Sequence, residues 1–193
     1  MSDHWYETVD AASRVTQGDL VFDCPLLGWK SDEIAVSQSE GAETLRGFSN
    51  AVKADVVVMT QACDLDQEHV DNVVVCPHTA LSTYKQDWEQ EMRDREQTPS
   101  ERAWNRHYND AKNGFVWNLT LLNSASLPSH SLEQRVVDFH ELFTIPRVFL
   151  ESLVAGRGST RIRLLPPYRE HLSQAFARYF MRVGLPVPVA QPT

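Results

Sequence analysis

Two runs, "ADVVVMTQ" at 54–61 and "NVVVCPHTA" at 72–80, constrain the fold of this chain more than any other feature. Val56 to Met59 is apolar at four successive positions, which suits a buried strand rather than an exposed one. The spacing predicts one strand over 54–60 and a second over 72–77, joined by the acidic link "DLDQEHVDN". A link this short makes them antiparallel neighbours. The first run then leaves the core through Thr60, Gln61, Cys63 and Asp64, a set that reads either as a turn beside a buried cysteine or as a site on a strand end.

Elements of both kinds flank this pair, which places the chain in the α+β class. "QGDLVFDCPL" predicts an earlier strand around Leu20 to Phe22. Residues 30–50 are polar and read as a long loop or irregular hairpin with a short strand near Ile34 to Val36. From 81 to 113 the pattern turns helical. Glu89 with Arg93 and Glu91 with Arg95 are i,i+4 pairs, and "TPSE" fits a capping box with Thr98 as N-cap and Glu101 three residues on. One helix should end near Gln97 and another run from Pro99 to Lys112, stopped by Asn113-Gly114. "GFVWNLTLLN" (114–123) and "QRVVDFHELFTI" (134–145) read as strands with the loop "SASLPSH" between them. "RVFLESLVAG" reads as a short helix closed by Gly156, and "STRIRLL" as a last strand. In "YREHLSQAFARYFMRVG", Leu172, Ala175, Phe176, Tyr179, Phe180 and Val183 recur at helical spacing, so the closing helix is amphipathic.

Charge is unevenly spread. The net charge is −8, yet residues from Arg147 onward carry seven arginines and two acids, a local +5 that leaves −13 for residues 1–146. Those arginines either pair with the acidic remainder of the chain or meet an external anion or protein partner. No stretch nears the ~20 apolar residues a spanning helix needs, and "MSDHWYETVD" is no secretory signal. With three cysteines, an odd and sparse set, these features predict a cytoplasmic protein with reduced thiols and no membrane partner.

The opening "QGDLVFDCPL", the pair "ADVVVMTQ" and "NVVVCPHTA", and "VVDFHELFTIPRVFL" leading to "LPPYREHLSQAFARYFMRVGL" resemble the PemK/MazF-like family, bacterial toxin-type endoribonucleases. The resemblance implies an SH3-like, partly open antiparallel β-barrel. Laid on this chain, it gives one domain over 1–193, with barrel and C-terminal helix at 15–80 and 114–184, a two-helix insertion at 81–113, and loose ends at 1–14 and 185–193. It also implies metal-independent action on RNA, a toxin or phage-defence setting, and a homodimer. On its pattern Lys53 stands where the family has an arginine, Thr79 matches a threonine, and His140-Glu141 occupy the place of an acid-Gln pair. A lysine lacks the guanidinium's two-pronged grip on phosphate, so the family's usual chemistry is altered at its first residue.

The residues themselves suggest several chemistries. Gln61, Cys63, Asp64, His69 and Asp71 lie at the mouth of the 54–77 connection, with His78 and Thr79 at its other end. Cys63 is either a packing residue beside a turn capped by Asp64, or a nucleophile served by His69 or His78, which would make a thiol-dependent hydrolase. Cys63, His69, Cys76 and His78 follow no zinc-ligand spacing, so neither metal nor cofactor is expected. Asp138 and His140 share one strand face, suited to proton transfer or to a solvated ion pair. Arg169, Glu170 and His171 open the last helix, where Arg169 and His171 would hold an anion or Glu170 would answer the helix dipole. Trp88, Trp104, Tyr108, Phe115 and Trp117 gather around the helical segment, either to stack on bases, to form a partner surface, or to pin the insertion. The leading expectation is thus RNA or another phosphate-bearing ligand, with a non-catalytic interaction module or defence accessory factor as the alternative.

Overall fold

The computed structural model describes residues 4–29, 47, 49–128 and 130–181. The expected strand near Ile34 to Val36, the end of the last helix at Val183-Gly184 and the tail lie outside the described residues. The central strands are β2 (Asp19–Trp29), β3 (Ser49–Val58) and β4 (Asn72–Ala80). β3 is antiparallel to both neighbours, with Val57 opposite Leu20 on one side and Cys76 on the other. Alternation along β3 then sorts its side chains. Val57 and Met59 join Leu20, Cys76 and Val137 in one core, whereas Val56 and Val58 join Val21, Val73 and Val75 in another. Val56, Val57 and Val58 are all fully buried. Each contributes about 1.5–3 kcal/mol, which explains why the run is continuously apolar.

The remaining strands extend this centre both ways. β8 (Arg135–Asp138) and β9 (Phe143–Pro146) lie along successive halves of β4, opposite His78–Ala80 and Asn72–Val75. The single strand expected over 134–145 is therefore broken at 139–142, where Phe139 turns into the core. β5 (Leu119–Leu122) flanks β8, and β10 (Arg161–Leu164) flanks β2. The first strand, β1 (Tyr6–Val9), pairs with β10, so residues 1–14 are not simply a loose end. The order β1-β10-β2-β3-β4-β8-β5 does not close, and every pairing among the described strands is antiparallel. A separate hairpin, β6 (Ala125–Leu127) with β7 (His130–Leu132), replaces the loop expected at 124–130.

Five helices are described. α1 (Ala62–Asp66) is a single turn after β3. α2 (Leu81–Asp94) and α3 (Glu101–Lys112) form the expected helical segment. The N-cap of α3 is Ser100, whose hydroxyl accepts from the Ala103 N–H, and not Thr98. α4 (Arg147–Arg157) covers the Val56 face through Leu150 and Val154 and ends at Gly158, which holds φ +63°, rather than at Gly156. α5 (Tyr168–Phe180) covers the Val57 face through the buried Leu172. The chain is therefore mixed α+β with an antiparallel sheet covered on both sides.

A buried ion cluster ties the first residues to this sheet. Asp19 is fully buried and accepts from Arg161 Nε at 2.8 Å and from Arg163 Nη2 at 3.1 Å. Arg161 also donates to the carbonyls of Asp10, Ser13 and Arg14. Two guanidiniums thus satisfy one desolvated carboxylate and carry the 10–14 turn as well, which holds β1 against β10.

Candidate functional site

A cleft of ≈ 560 Å³ opens between α5 and the corner where α3 passes into β5. Gly114 makes that corner. It follows α3 at φ +73°, a turn that favours glycine, and it lies beside Arg178, whose Nη1 a Cβ there would meet at an ordinary contact distance of 3.6 Å. Phe115 and Trp117 consequently leave the strand alignment expected of them, and β5 begins only at Leu119.

The cleft has two chemically distinct ends. Near the start of α5, Trp5 stacks on Tyr168 with ring centres 4.1 Å apart and planes 11° from parallel. Near its finish, the Arg178 guanidinium sits 5.2 Å from the Trp117 ring centre, a cation–π contact that orients it, and Lys112 also lines the cleft. His171 lies on the same wall between Tyr168 and Arg178 in sequence. The lining amides are ordered by one another. Tyr108 donates to Gln134 Oε1 at 3.3 Å, and Gln134 Nε2 donates to Asn123 Oδ1 at 3.4 Å. Among the described residues no aspartate or glutamate lines this cleft, although the chain carries 26 acidic residues.

Of the polar candidates singled out in the sequence, His171 lines it, joined by Tyr108 and Trp117 of the aromatic set. Lys53 is exposed on β3 opposite Pro25, and Thr79 is half-buried on β4 opposite Val136. His140 and the exposed Glu141 occupy the break between β8 and β9. His140 Nδ1 contacts Asn118 Nδ2 at 3.0 Å and Asp138 Oδ1 at 3.2 Å, and its ring meets the edge of Tyr179. No hydrogen bond or ion pair joins any two of Lys53, Thr79, His140 and Glu141 among the described residues. Gln61 and Cys63 line a shallow depression of ≈ 350 Å³ with Ser173 and Glu170. Cys63 is exposed rather than buried, and its sulfur neighbours are Gln61 Oε1 at 3.7 Å and Asp64 Oδ1 at 4.0 Å, with no imidazole among them.

His78 belongs to the interior. Its ring is buried against Phe22, and Nδ1 accepts from Arg135 Nε at 2.9 Å, while Arg135 also pairs with Asp55. Nδ1 as acceptor places the proton on Nε2, which has no partner among the described residues. Burial first, then the adjacent Arg135 charge, push this imidazole down to about 3, against the opposing pull of Asp55 and the carbonyls of Val56 and His78.

The C-terminal arginines are mostly used within the chain. Arg147 pairs with Glu68 and Glu151, Arg157 with the carbonyls of Phe22 and Asp23, and Arg161 and Arg163 with Asp19. Arg169 pairs with Glu170 at 2.8 Å. Slight burial works against ionisation of Glu170, but Arg169 and a backbone N–H outweigh it and hold the carboxyl below its usual range. The first turn of α5 is thereby supplied with a carboxylate of its own. Arg178, by contrast, has no carboxylate partner among the described residues. The aromatic set divides as well. Trp88 and Trp104 pin α2 to α3 around His107, whereas Tyr108 and Trp117 line the cleft. Trp5, Lys112, Tyr168 and Arg178 carried no pattern of their own in the sequence, and the pairings Trp5–Tyr168 and Trp117–Arg178 join residues far apart in the chain. Compared with known proteins, the chain matches no protein-family model and no curated relative.

Proposed function

We propose that this protein binds a phosphate-bearing ligand with flat rings, RNA first among them, in the cleft between α5 and the α3–β5 corner. The observation that carries the reading is the lining: stacked aromatic rings and two cations, with no carboxylate among the described residues, on an otherwise acidic chain. Anionic ligands are repelled by most of such a surface and drawn to the patch that lacks like charge. Rings offer stacking worth about 1–3 kcal/mol per base, and Lys112 and Arg178 offer phosphate contacts.

We read the scaffold as a partly open SH3-like barrel of PemK/MazF type, supported by the Tyr6 hydroxyl, which donates at 2.7 Å to the Asn123 carbonyl and so bridges the β1 and β5 ends of the sheet. Binding is the assigned role. Cleavage is not, because Lys53, Thr79, His140 and Glu141 stand outside the cleft. The test is fluorescence anisotropy of a labelled single-stranded RNA over a salt series. Binding should weaken with salt, and Arg178→Ala should lower the slope of log K against log salt by about one. Equal affinity and slope in the parent protein, Arg178→Ala and Lys112→Ala would refute the site.

A further inference from the structure

α5 runs the length of the cleft, and its Tyr168, His171, Leu172, Ala175 and Arg178 all face it. These positions follow the three- and four-residue spacing of one helix face. Ten residues separate the aromatic end at Tyr168 from the cationic end at Arg178, about 15 Å at a rise of ~1.5 Å per residue. Successive stacked nucleotides advance by about 3.4 Å along a strand, so this face is about four nucleotides long. Resting on the binding reading above, we infer that the cleft holds a run of about four unpaired nucleotides, with one base on the Trp5–Tyr168 stack and a distant phosphate on Lys112 and Arg178. A lone nucleotide fills one end only. A duplex keeps its ring faces inside its own stack and cannot present one to Trp5.

Three further features fit a strand rather than a compact ligand. The two ends use different forces, stacking at one and charge at the other, which a single ring with its own phosphate cannot engage together over this distance. The amides of Asn123 and Gln134 add donors and acceptors to the cleft without adding charge. The Arg178 guanidinium is braced on Trp117, so it meets a phosphate without losing much rotamer freedom.

Calorimetric titration of the unmodified protein with uridine monophosphate, a ribo-tetranucleotide, its deoxy counterpart and a short RNA duplex tests this. The tetranucleotide should bind at least tenfold more tightly than the monophosphate, and the duplex more weakly than the tetranucleotide. The ribo and deoxy arms decide which sugar the site prefers. Arg178→Ala should weaken both tetranucleotides, and so should Tyr168→Ala, or Trp5→Leu should the first unfold. Equal affinity for monophosphate and tetranucleotide would overturn the length inference and leave the binding reading intact. No binding of any of them would overturn both.

Discussion

Lowering the pH should destabilise this protein through one residue, His78. Its imidazole is neutral in the fold because burial and Arg135 depress it to about 3, whereas an unfolded histidine titrates near ~6.5. Above pH 6.5 both states are neutral and the residue contributes no pH dependence. Below it, only the unfolded chain takes up the proton, so stability falls as pH falls until the folded value is reached. Linkage gives a loss of about 2 kcal/mol between pH 7 and pH 5, and about 5 kcal/mol once both values are passed. Other groups titrate over the same range, so the measurement is a difference. Urea unfolding at pH 7 and pH 5 is compared between the parent protein and His78→Asn, whose amide oxygen can still accept from Arg135 Nε. The variant should be less stable at pH 7, having lost the ring packed on Phe22, but should lose about 2 kcal/mol less than the parent on acidification. An identical pH dependence in both proteins would refute the assignment of a neutral, buried His78.

Asp19→Ala should cost about 3–5 kcal/mol, because it leaves Arg161 and Arg163 without their shared carboxylate, and urea unfolding measures the loss. In the native protein one thiol, Cys63, should react quickly with a disulfide reagent, and all three should react after denaturation. Burial pushes the Cys24 thiol up to about 11 and the Cys76 thiol up to about 12, which keeps both unreactive; two or more fast thiols in the native state would contradict this.

What could be read from the sequence was what depends on neighbours in the chain. The strands at Val56 and Val73, the helical pair at 81–112 and the amphipathic α5 each announce themselves through local periodicity. The break at 139–142 did not, because it exists only to let β8 and β9 share β4 while Phe139 enters the core. The same limit governs the cleft. His171 could be picked out beside Arg169, but Arg178 gains its meaning from Trp117 and Gly114, and Tyr168 from Trp5. Arg169, read in the sequence as an anion ligand or as the neighbour of an acid that answers the helix dipole, lies against Glu170 in the fold. His78 looked like a strand-end ligand because sequence alone does not reveal that Arg135 lies beside it.

The position of β10 imposes a timetable on synthesis. It occupies the slot between β1 and β2, yet it is made after every other described strand. While the chain emerges from the ribosome, the outer edge of β2 therefore stands open, and β1 waits with Tyr6 and no strand to lie against. Such an edge invites pairing with other nascent chains. The vulnerable period for this protein is thus the interval before Arg161–Leu164 appears, and crowding or slow translation late in the message should harm its yield more than a similar delay early on.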